Sequence, residues 1–396
     1  VLDGSPVISY TAQESAARAL RVHPELRVAK ARVHSARTHA GALGQIPALE
    51  LRLTELHLDD LVDGERKFDL GLRFRPELPG LVATERSRAA EEVTVEAARE
   101  TRLALAVRAR AMTLHGEILA GVRRLEILQE RSALLEEARG RQESAAAQGA
   151  STSLEMNLAQ LAAVDAQDDL REAKASLGDL RVELHSLLSL APGEQLALTG
   201  PPGGVSELLE APPSNDAALE EALKNRPETR ERAARLAQAH ADVWSEQLKR
   251  IPWLSFAQAS REIRPKSDVL SWGFALGVDI PIERWFADGA AARRADLEVR
   301  RQEERAAILA IAGQVADVLQ RVKTSITRYE EVKRLIIPAI DAAQAVTDAK
   351  SAERGLDAKR GLRLGLNRLN TQLRALEAER DLIAAQLQLR RVLARP

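Results

Sequence analysis

The sequence predicts a mainly α-helical fold with a smaller β-strand portion, arranged as two structural repeats in one chain. Ala, Leu, Glu and Arg are abundant among the 396 residues, whereas aromatic residues make up 3% and charged residues 29%. This composition is typical of long or coiled helices rather than of compact cores. Residues 67–75, KFDLGLRFR, depart from it, because apolar and polar side chains alternate there with the two-residue period of a β-strand.

An internal repeat is the second observation that predicts this architecture. The segment ALRVHPELRVAKARV at 19–33 resembles ALKNRPETRERAARL at 222–236. Four further landmarks of the first copy recur in the second at one shared offset of 205 residues: Ile46, Pro47, Pro76 and Arg88. A repeat unit of this length is too long for a solenoid module and implies a protomer with pseudo-twofold symmetry.

The repeat divides the chain into residues 1–190, a Pro- and Gly-rich linker at 191–215, and residues 216–396. In the first repeat we expect a helix at 11–45, a β-hairpin at 48–75, a long helix at 82–146 and a return helix at 152–190. In the second we expect a helix at 217–250, a β-hairpin at 253–280, a long helix at 287–357 and a return helix at 362–394. A 65-residue helix such as 82–146 would be roughly 100 Å long. No domain of this size can enclose such a helix, so the pattern predicts coiled coils.

Several classes of function lose support at this stage. Lys and Arg (57) nearly balance Asp and Glu (58), so the net charge does not favour nucleic-acid binding. No apolar run approaches the length of a membrane-spanning helix. The absence of Cys excludes thiol chemistry, disulfides and thiolate metal ligands, and the seven His residues show no metal-ligand spacing. We therefore predict no enzyme activity, no cofactor and no metal site. Because the chain begins at Val1 rather than Met, we also expect that an export signal has been removed.

Two interpretations compete for the alternating strands. They could form a small sheet whose apolar face packs on helices, or they could span a membrane, since their length matches the 9–11 residues that a membrane β-strand needs. Four strands cannot close a barrel and an open edge is not tolerated in lipid, so the membrane interpretation requires three copies and twelve strands. Eight apolar residues would then face lipid: Phe68, Leu70, Leu72, Phe74, Leu270, Trp272, Phe274 and Leu276.

Over essentially its full length the chain resembles the TolC-type outer-membrane efflux channel family. The matching segments include the two repeats quoted above. LGLRFRPELPG and FALGVDIPIERWFADG match the end of the second strand of each hairpin running into the long helix, and QGASTSLEMNLAQL and GLRLGLNRLNTQL match the hairpin tips and the start of the return helices. The resemblance implies a homotrimer in the outer membrane of a Gram-negative cell, with a twelve-stranded barrel and an α-helical tunnel that extends into the periplasm. It also implies a passive exit duct, to which a proton-driven inner-membrane pump and a periplasmic adaptor protein deliver substrate.

Within this family, PALELRL, RPELPG and VDIPI look most like the heavy-metal branch, which exports cobalt, zinc and cadmium or copper and silver. Leu81 and Val82 stand where that branch usually carries a basic pair, so the exported substrate stays open.

Gly149 and Gly361 are the natural turn residues between the outgoing and return helices, and the resemblance also assigns roles at these helical hairpin tips. Six residues match the positions that dock the adaptor: Gly149, Ala150, Ser151, Gly361, Leu362 and Arg363. Asn367 and Asn370 match a pair of aspartates that forms an acidic ring at the pore entrance, and Glu155 is the nearest acid of the first tip. Because amides replace the acids, we expect weaker block by divalent cations. The alternative is that these segments are only hairpin turns.

A second class of function stays open on the sequence alone, namely a soluble coiled-coil scaffold with two small sheets and no pore. A trimer that requires detergent would support the channel, and a soluble monomer would support the scaffold.

Overall fold

The computed structural model describes residues 7–43, 48–57, 66–191, 194–200, 211–263, 271–352 and 358–395. The chain divides into two compact units. The first comprises Val1–Arg27, Arg102–Arg226 and Ala310–Pro396, and the second comprises Val28–Thr101 and Pro227–Leu309.

Long helices account for most of the described chain. In order, the first half forms β1 (Val7–Tyr10), α1 (Ala12–Val22), α2 (Pro24–Ala42), β2 (Ala48–His57), β3 (Arg66–Arg75), α3 (Pro79–Ala147) and α4 (Ser153–Leu187). The second half forms β4 (Gln195–Leu198), α5 (Asn215–Asn225), α6 (Pro227–Leu248), β5 (Trp253–Ile263), β6 (Ser271–Asp279), α7 (Ile282–Phe286), α8 (Gly289–Glu331), a π-turn (Val332–Ile336), α9 (Ile337–Ala352) and α10 (Ala358–Val392). None of the helices described is long and apolar enough to cross a membrane.

The helix predicted before each β-hairpin is interrupted ahead of a proline. The single helix expected at 11–45 is interrupted at His23, whose φ of −58° and ψ of 122° are not helical. The helix expected at 217–250 is interrupted at Arg226 in the same way, with φ −66° and ψ 132°. A residue before proline is pushed out of the α region, while proline itself suits the first position of a new helix. Each predicted helix is therefore two helices.

The second long helix also differs from the prediction of one element at 287–357. It begins only at Gly289, after the separate short helix α7, and it passes through the π-turn before α9 ends at Ala352. Pro338 lies just past that turn, where its ring opposes the carbonyl four residues earlier and it has no N–H to donate. The π-turn accommodates this interruption. Residues 353–357, the remainder of the predicted element, lie outside the described part of the chain.

In the first unit, two apolar clusters hold the helices together. One joins α1, α3 and α4 through residues that include Ala19, Leu114 and Leu184, all fully buried. The other joins α5, α8 and α10 through residues that include Ala222, Val322 and Leu389. Apolar residues at helical spacing produce both clusters, one for each repeat.

A two-stranded parallel sheet in the first unit was not predicted. β1 pairs with β4, with Val7 opposite Gln195 and Tyr10 opposite Leu198. β4 therefore lies inside the segment 191–215, which the sequence suggested only as a linker. Arg18 of α1 secures this region, because its Nε donates to the Leu188 carbonyl at 3.1 Å and its Nη1 to the Tyr10 hydroxyl at 2.5 Å.

In the second unit, both predicted hairpins form one antiparallel sheet with the order β2-β3-β5-β6. β3 and β5 join the two repeats, and Leu72 lies opposite Ala259 at the middle of their ladder. Among the described residues, β2 pairs only with β3 and β6 only with β5, so each outer strand has one edge without a strand partner in the chain.

Candidate functional site

One face of the four-stranded sheet is almost entirely apolar. Residues that lie directly opposite each other in an antiparallel ladder project to the same side. The register therefore places three rows on this face: Leu53–Leu70–Arg261–Trp272, Leu51–Leu72–Ala259–Phe274 and Leu49–Phe74–Ala257–Leu276. Trp272, Phe274 and Leu276 are 63%, 81% and 74% exposed. No described element covers these side chains, whereas in a soluble protein an apolar sheet face of this size would be buried in the core.

The opposite face of the same sheet is polar and has small side chains. Its rows are Asp69–Glu262–Ser271, Arg52–Gly71–Ser260–Gly273 and Glu50–Arg73–Gln258–Ala275. Arg73 donates to the Gln258 Oε1 from both Nε, at 2.9 Å, and Nη2, at 2.7 Å. Apolar and polar faces of this kind are typical of strands between lipid and a wet interior.

An aromatic ring lies on the polar face next to an irregularity in β5. The register shifts between Leu254 and Phe256, so Phe256 lies opposite Gly277. The Arg73 guanidinium lies over the Phe256 ring at 4.3 Å from its centroid. A Cβ on Gly277 would lie only 2.3 Å from the Phe256 Cε1. Glycine is required here because the ring fills the space that a side chain would need.

Six of the eight residues predicted to face lipid lie on the apolar face of the sheet. Leu70, Leu72, Phe74, Trp272, Phe274 and Leu276 are all exposed on the apolar face. Phe68 pairs in β3, but its side chain lies outside the described residues, as does the whole of Leu270. Three residues that were not predicted also lie on this face, as the alternation in ALELRL indicates: Leu49, Leu51 and Leu53.

The first hairpin tip, between α3 and α4, is a compact turn with satisfied backbone groups. The Gly149 amide donates to the Ala146 carbonyl at 3.0 Å and the Ala150 amide to the Ala145 carbonyl at 2.8 Å. These two bonds form a Schellman motif, which requires the left-handed φ of +71° at Gly149. Glycine adopts that conformation without a steric penalty.

Ser151 and Glu155 complete this tip. Thr152 is the N-cap of α4, and its capping box with Glu155 satisfies amides of the first helical turn. The Ser151 hydroxyl donates to the Glu155 Oε2 at 3.0 Å, and the Gln142 side chain bonds to the same hydroxyl. The structure thus brings the four predicted residues of this tip together, and it uses Glu155 as a helix cap.

The second set of predicted tip residues lies on α10. Gly361, Leu362 and Arg363 are in the first turns of this helix, so the prediction of Gly361 as a turn residue is wrong. The connection before α10, residues 353–357, is outside the described part of the chain. Asn367 and Asn370 are both exposed and, three residues apart, lie on one side of α10. Between them and the first turns, a Cβ on Gly365 would lie 3.0 Å from Leu134 of α3.

Burial sets the direction of the pKa shift for two titratable groups outside the sheet. Burial lowers the pKa of His115 on α3, whose Nδ1 lies 3.2 Å from the Ser15 hydroxyl, and a hydrogen bond with the Thr199 backbone opposes that shift. Burial raises the pKa of Glu379 on α10, and the charge of Lys333 in the π-turn opposes it. Within the part of the chain that the structure describes, no three His, Asp or Glu side chains are grouped as metal ligands.

Comparison with solved structures places this fold among outer-membrane channels. The chain is similar to the outer-membrane channel OprN, with a TM-score of 0.75 and 17% identity over 96% of this chain and 89% of that chain. It is similar to the Campylobacter jejuni CmeC outer-membrane channel, with a TM-score of 0.75 and 13% identity over 96% and 85%. It is also similar to CusC, with a TM-score of 0.72 and 14% identity over 96% and 91%.

The chain therefore has the fold of the TolC-type outer-membrane channels, with long helices and a small sheet. No protein-family model matches the sequence, and no curated protein matches it.

Proposed function

We propose that this protein is an outer-membrane exit duct that conducts substrate passively as part of an efflux system. The observation that carries the proposal is the sheet in the second unit, which leaves twelve positions in three rows on an exposed, mainly apolar face and has a polar opposite face. A face of this composition is stable in lipid, and the polar face suits a water-filled lumen. Likeness to solved channels over 96% of the chain supports the same role.

The open edges of β2 and β6 support a trimer. Backbone N–H and C=O groups on those edges would cost several kcal/mol each in hydrocarbon if they lacked partners. Pairing β6 of one copy with β2 of the next satisfies them, and three copies close a barrel of twelve strands. In this proposal residues 1–190 and 216–396 are the two repeats of each protomer, and the segment 191–215 belongs to the equatorial region.

The tips are proposed to contact a periplasmic adaptor, through which an inner-membrane pump delivers substrate. Gly149, Ala150 and Ser151 form a turn with no large side chain, which permits close approach of a helical partner. Asn367 and Asn370 are proposed to line the pore entrance on α10. Because they are neutral, divalent cations should block the channel weakly, and block by micromolar cation in conductance recordings would contradict this assignment.

A place in the heavy-metal branch is a narrower proposal. It is supported by the PALELRL, RPELPG and VDIPI segments of the sequence. The structural likeness does not favour that branch, because the TM-scores for CusC, OprN and CmeC are similar. An adjacent gene for a pump of known substrate would decide it.

Two neighbouring residues of β6 test the duct directly. Phe274 projects to the apolar face and Ala275 to the polar face. An Arg at the lipid face near the membrane midplane costs roughly 2–4 kcal/mol, whereas an Arg in the lumen does not. We expect Phe274→Arg to abolish insertion into planar bilayers, and Ala275→Arg to insert with altered ion selectivity.

The scaffold hypothesis gives the opposite result. A wild-type protein that is a soluble monomer without detergent and produces no conductance steps would refute the duct. Equal behaviour of the two Arg variants would refute the assignment of the faces.

A further inference from the structure

The short helix α7 carries an exposed apolar face of its own. In its sequence IERWF, Ile282, Trp285 and Phe286 have the spacing i, i+3, i+4, which places them within an arc of about 100°. Glu283 and Arg284 lie on the other side. All three apolar side chains are exposed, and Phe286, at 86%, is the most exposed of the large apolar residues described.

The helix is held firmly while this apolar face stays uncovered. The Trp285 Nε1 donates to the Arg250 carbonyl at 2.8 Å, and the Arg250 Nη2 donates to the Ala287 carbonyl at 2.9 Å. At the adjacent end of α6, a hydrogen bond from Lys249 lowers the pKa of Glu246, and the positive charges of Arg284 and Arg293 lower it further. The polar side of α7 therefore meets the charged end of α6.

The apolar face of α7 continues the apolar face of the sheet. After Trp272, Phe274 and Leu276, the alternation along β6 extends to Val278 and Ile280, which are also exposed. Ile282 then begins α7, where the Ile282 amide donates to the Ile280 carbonyl at 2.8 Å. Exposed apolar side chains therefore continue along the chain from the strand into the helix.

The first repeat has no counterpart to this helix. The segments from Pro76 to Arg88 and from Pro281 to Arg293 have equal length, yet the first, PELPGLVATERSR, contains no aromatic residue. In that copy the long helix α3 begins at once at Pro79. The amphipathic helix is therefore a feature that the repeat architecture itself does not require.

We propose that α7 is an interfacial anchor that lies in the phospholipid headgroup layer at the end of β6. This inference rests on the proposed membrane position of the sheet. Trp and Phe on one face of a helix with polar residues on the other suit the boundary between acyl chains and water. Arg250 places a cation beside this face, because its carbonyl accepts from Trp285 and its guanidinium donates to the Ala287 carbonyl, and a cation there suits contact with lipid phosphate. The occupant of the surface is phospholipid rather than another protein.

The native tryptophans allow the proposed position of α7 to be tested, because the depth of a Trp side chain in a bilayer can be measured by fluorescence quenching. In the trimer, reconstituted into vesicles of phosphatidylethanolamine and phosphatidylglycerol, single-Trp variants would retain Trp244, Trp272 or Trp285, with Phe at the other positions. Quenching is measured with lipids brominated near the headgroup and with lipids brominated near the chain terminus. We expect Trp285 to be quenched most by the shallow bromine, Trp272 to be quenched more by the deep bromine, and Trp244 on α6 to be quenched by neither.

The outcomes separate this inference from the proposed function. Quenching of Trp272 with none of Trp285 overturns the anchor and leaves the duct intact, including the case in which a neighbouring copy covers α7. No quenching of either residue overturns both. As a second measurement, Phe286→Ser should lower the fraction of protein inserted into vesicles, whereas Leu309→Ser, at another exposed apolar residue on α8, should not. Equal insertion of wild type and Phe286→Ser would also count against the anchor.

Discussion

Replacing Gly277 by Ala should destabilise the sheet through a single steric conflict on its polar face. The new Cβ would lie 2.3 Å from the Phe256 Cε1 and 2.6 Å from both the Phe256 Cδ1 and the Ser255 Oγ. Ordinary contacts of a Cβ are no closer than 3.4 Å, so the ring must move. The Arg73 guanidinium packs on the same ring, 4.3 Å from its centroid, so a movement of the ring also disturbs this contact.

The cost of this conflict follows from known effects of overpacking. Extra methyl groups in a well-packed site cost about 1–3 kcal/mol. That range lowers the folding equilibrium constant by roughly 5- to 160-fold. The assay is urea-dependent unfolding of the trimer in detergent micelles, followed by circular dichroism, with the midpoint compared between wild type and variant.

A double variant tests the mechanism rather than the magnitude alone. Phe256→Ala removes the ring that obstructs the new methyl group, so Phe256→Ala/Gly277→Ala should be less destabilised than the sum of the single variants, by about 0.5–3 kcal/mol. As a control, Gly313→Ala on α8 introduces a Cβ with nothing within 4 Å and should not destabilise. Additive effects in the double variant, or a Gly277→Ala protein as stable as wild type, would refute the steric argument.

Three further predictions concern the helices. Gly149→Ala should lower the free energy of unfolding by about 1–2 kcal/mol, because Ala is strained at a φ of +71°. Gly140→Ala, inside α3, should raise it by up to about 1 kcal/mol, so the two variants should shift the urea midpoint in opposite directions. Burial lowers the pKa of His115, so its contribution to stability is fully present above the unfolded pKa of about 6.5 and is lost as pH falls through the lower folded pKa. His115→Gln should therefore flatten the pH dependence of the urea midpoint below about pH 6.5, and an unchanged slope would contradict this. Pro338→Ala restores an N–H and removes the ring, so the π-turn should become α-helical and amide hydrogen exchange across 332–338 should slow; unchanged exchange there would show that proline does not maintain the turn.

Local patterns in the sequence were sufficient to predict much of the sheet. The alternation in KFDLGLRFR depends only on residues two apart, and it correctly separated Leu70, Leu72 and Phe74 from the polar face. Two-residue and heptad periods are properties of the backbone itself, so they can be recognised without a structure.

Local patterns did not predict elements whose conformation depends on contacts with distant residues or on an interruption of a regular helix. Gly361 looked like a turn residue but lies in α10, because a single glycine is tolerated within a helix. β1 is only four residues long, and its pairing with β4 depends on a segment nearly 190 residues away. The π-turn and the short helix α7 were likewise absent from the predicted elements: the π-turn interrupts a continuous helical pattern, and α7 lies in the short connection between the predicted hairpin and the predicted long helix.

The sequence by itself determined the mainly helical class, the duplication and the two faces of each hairpin, because periodicity and repetition are encoded in neighbouring residues. Only the tertiary structure decided that β3 pairs with β5 and thereby joins the hairpins of both repeats in one sheet. It also decided that Phe256 lies over Gly277 and under Arg73. Strand order and side-chain packing depend on contacts between residues far apart in the chain, and no local period specifies them.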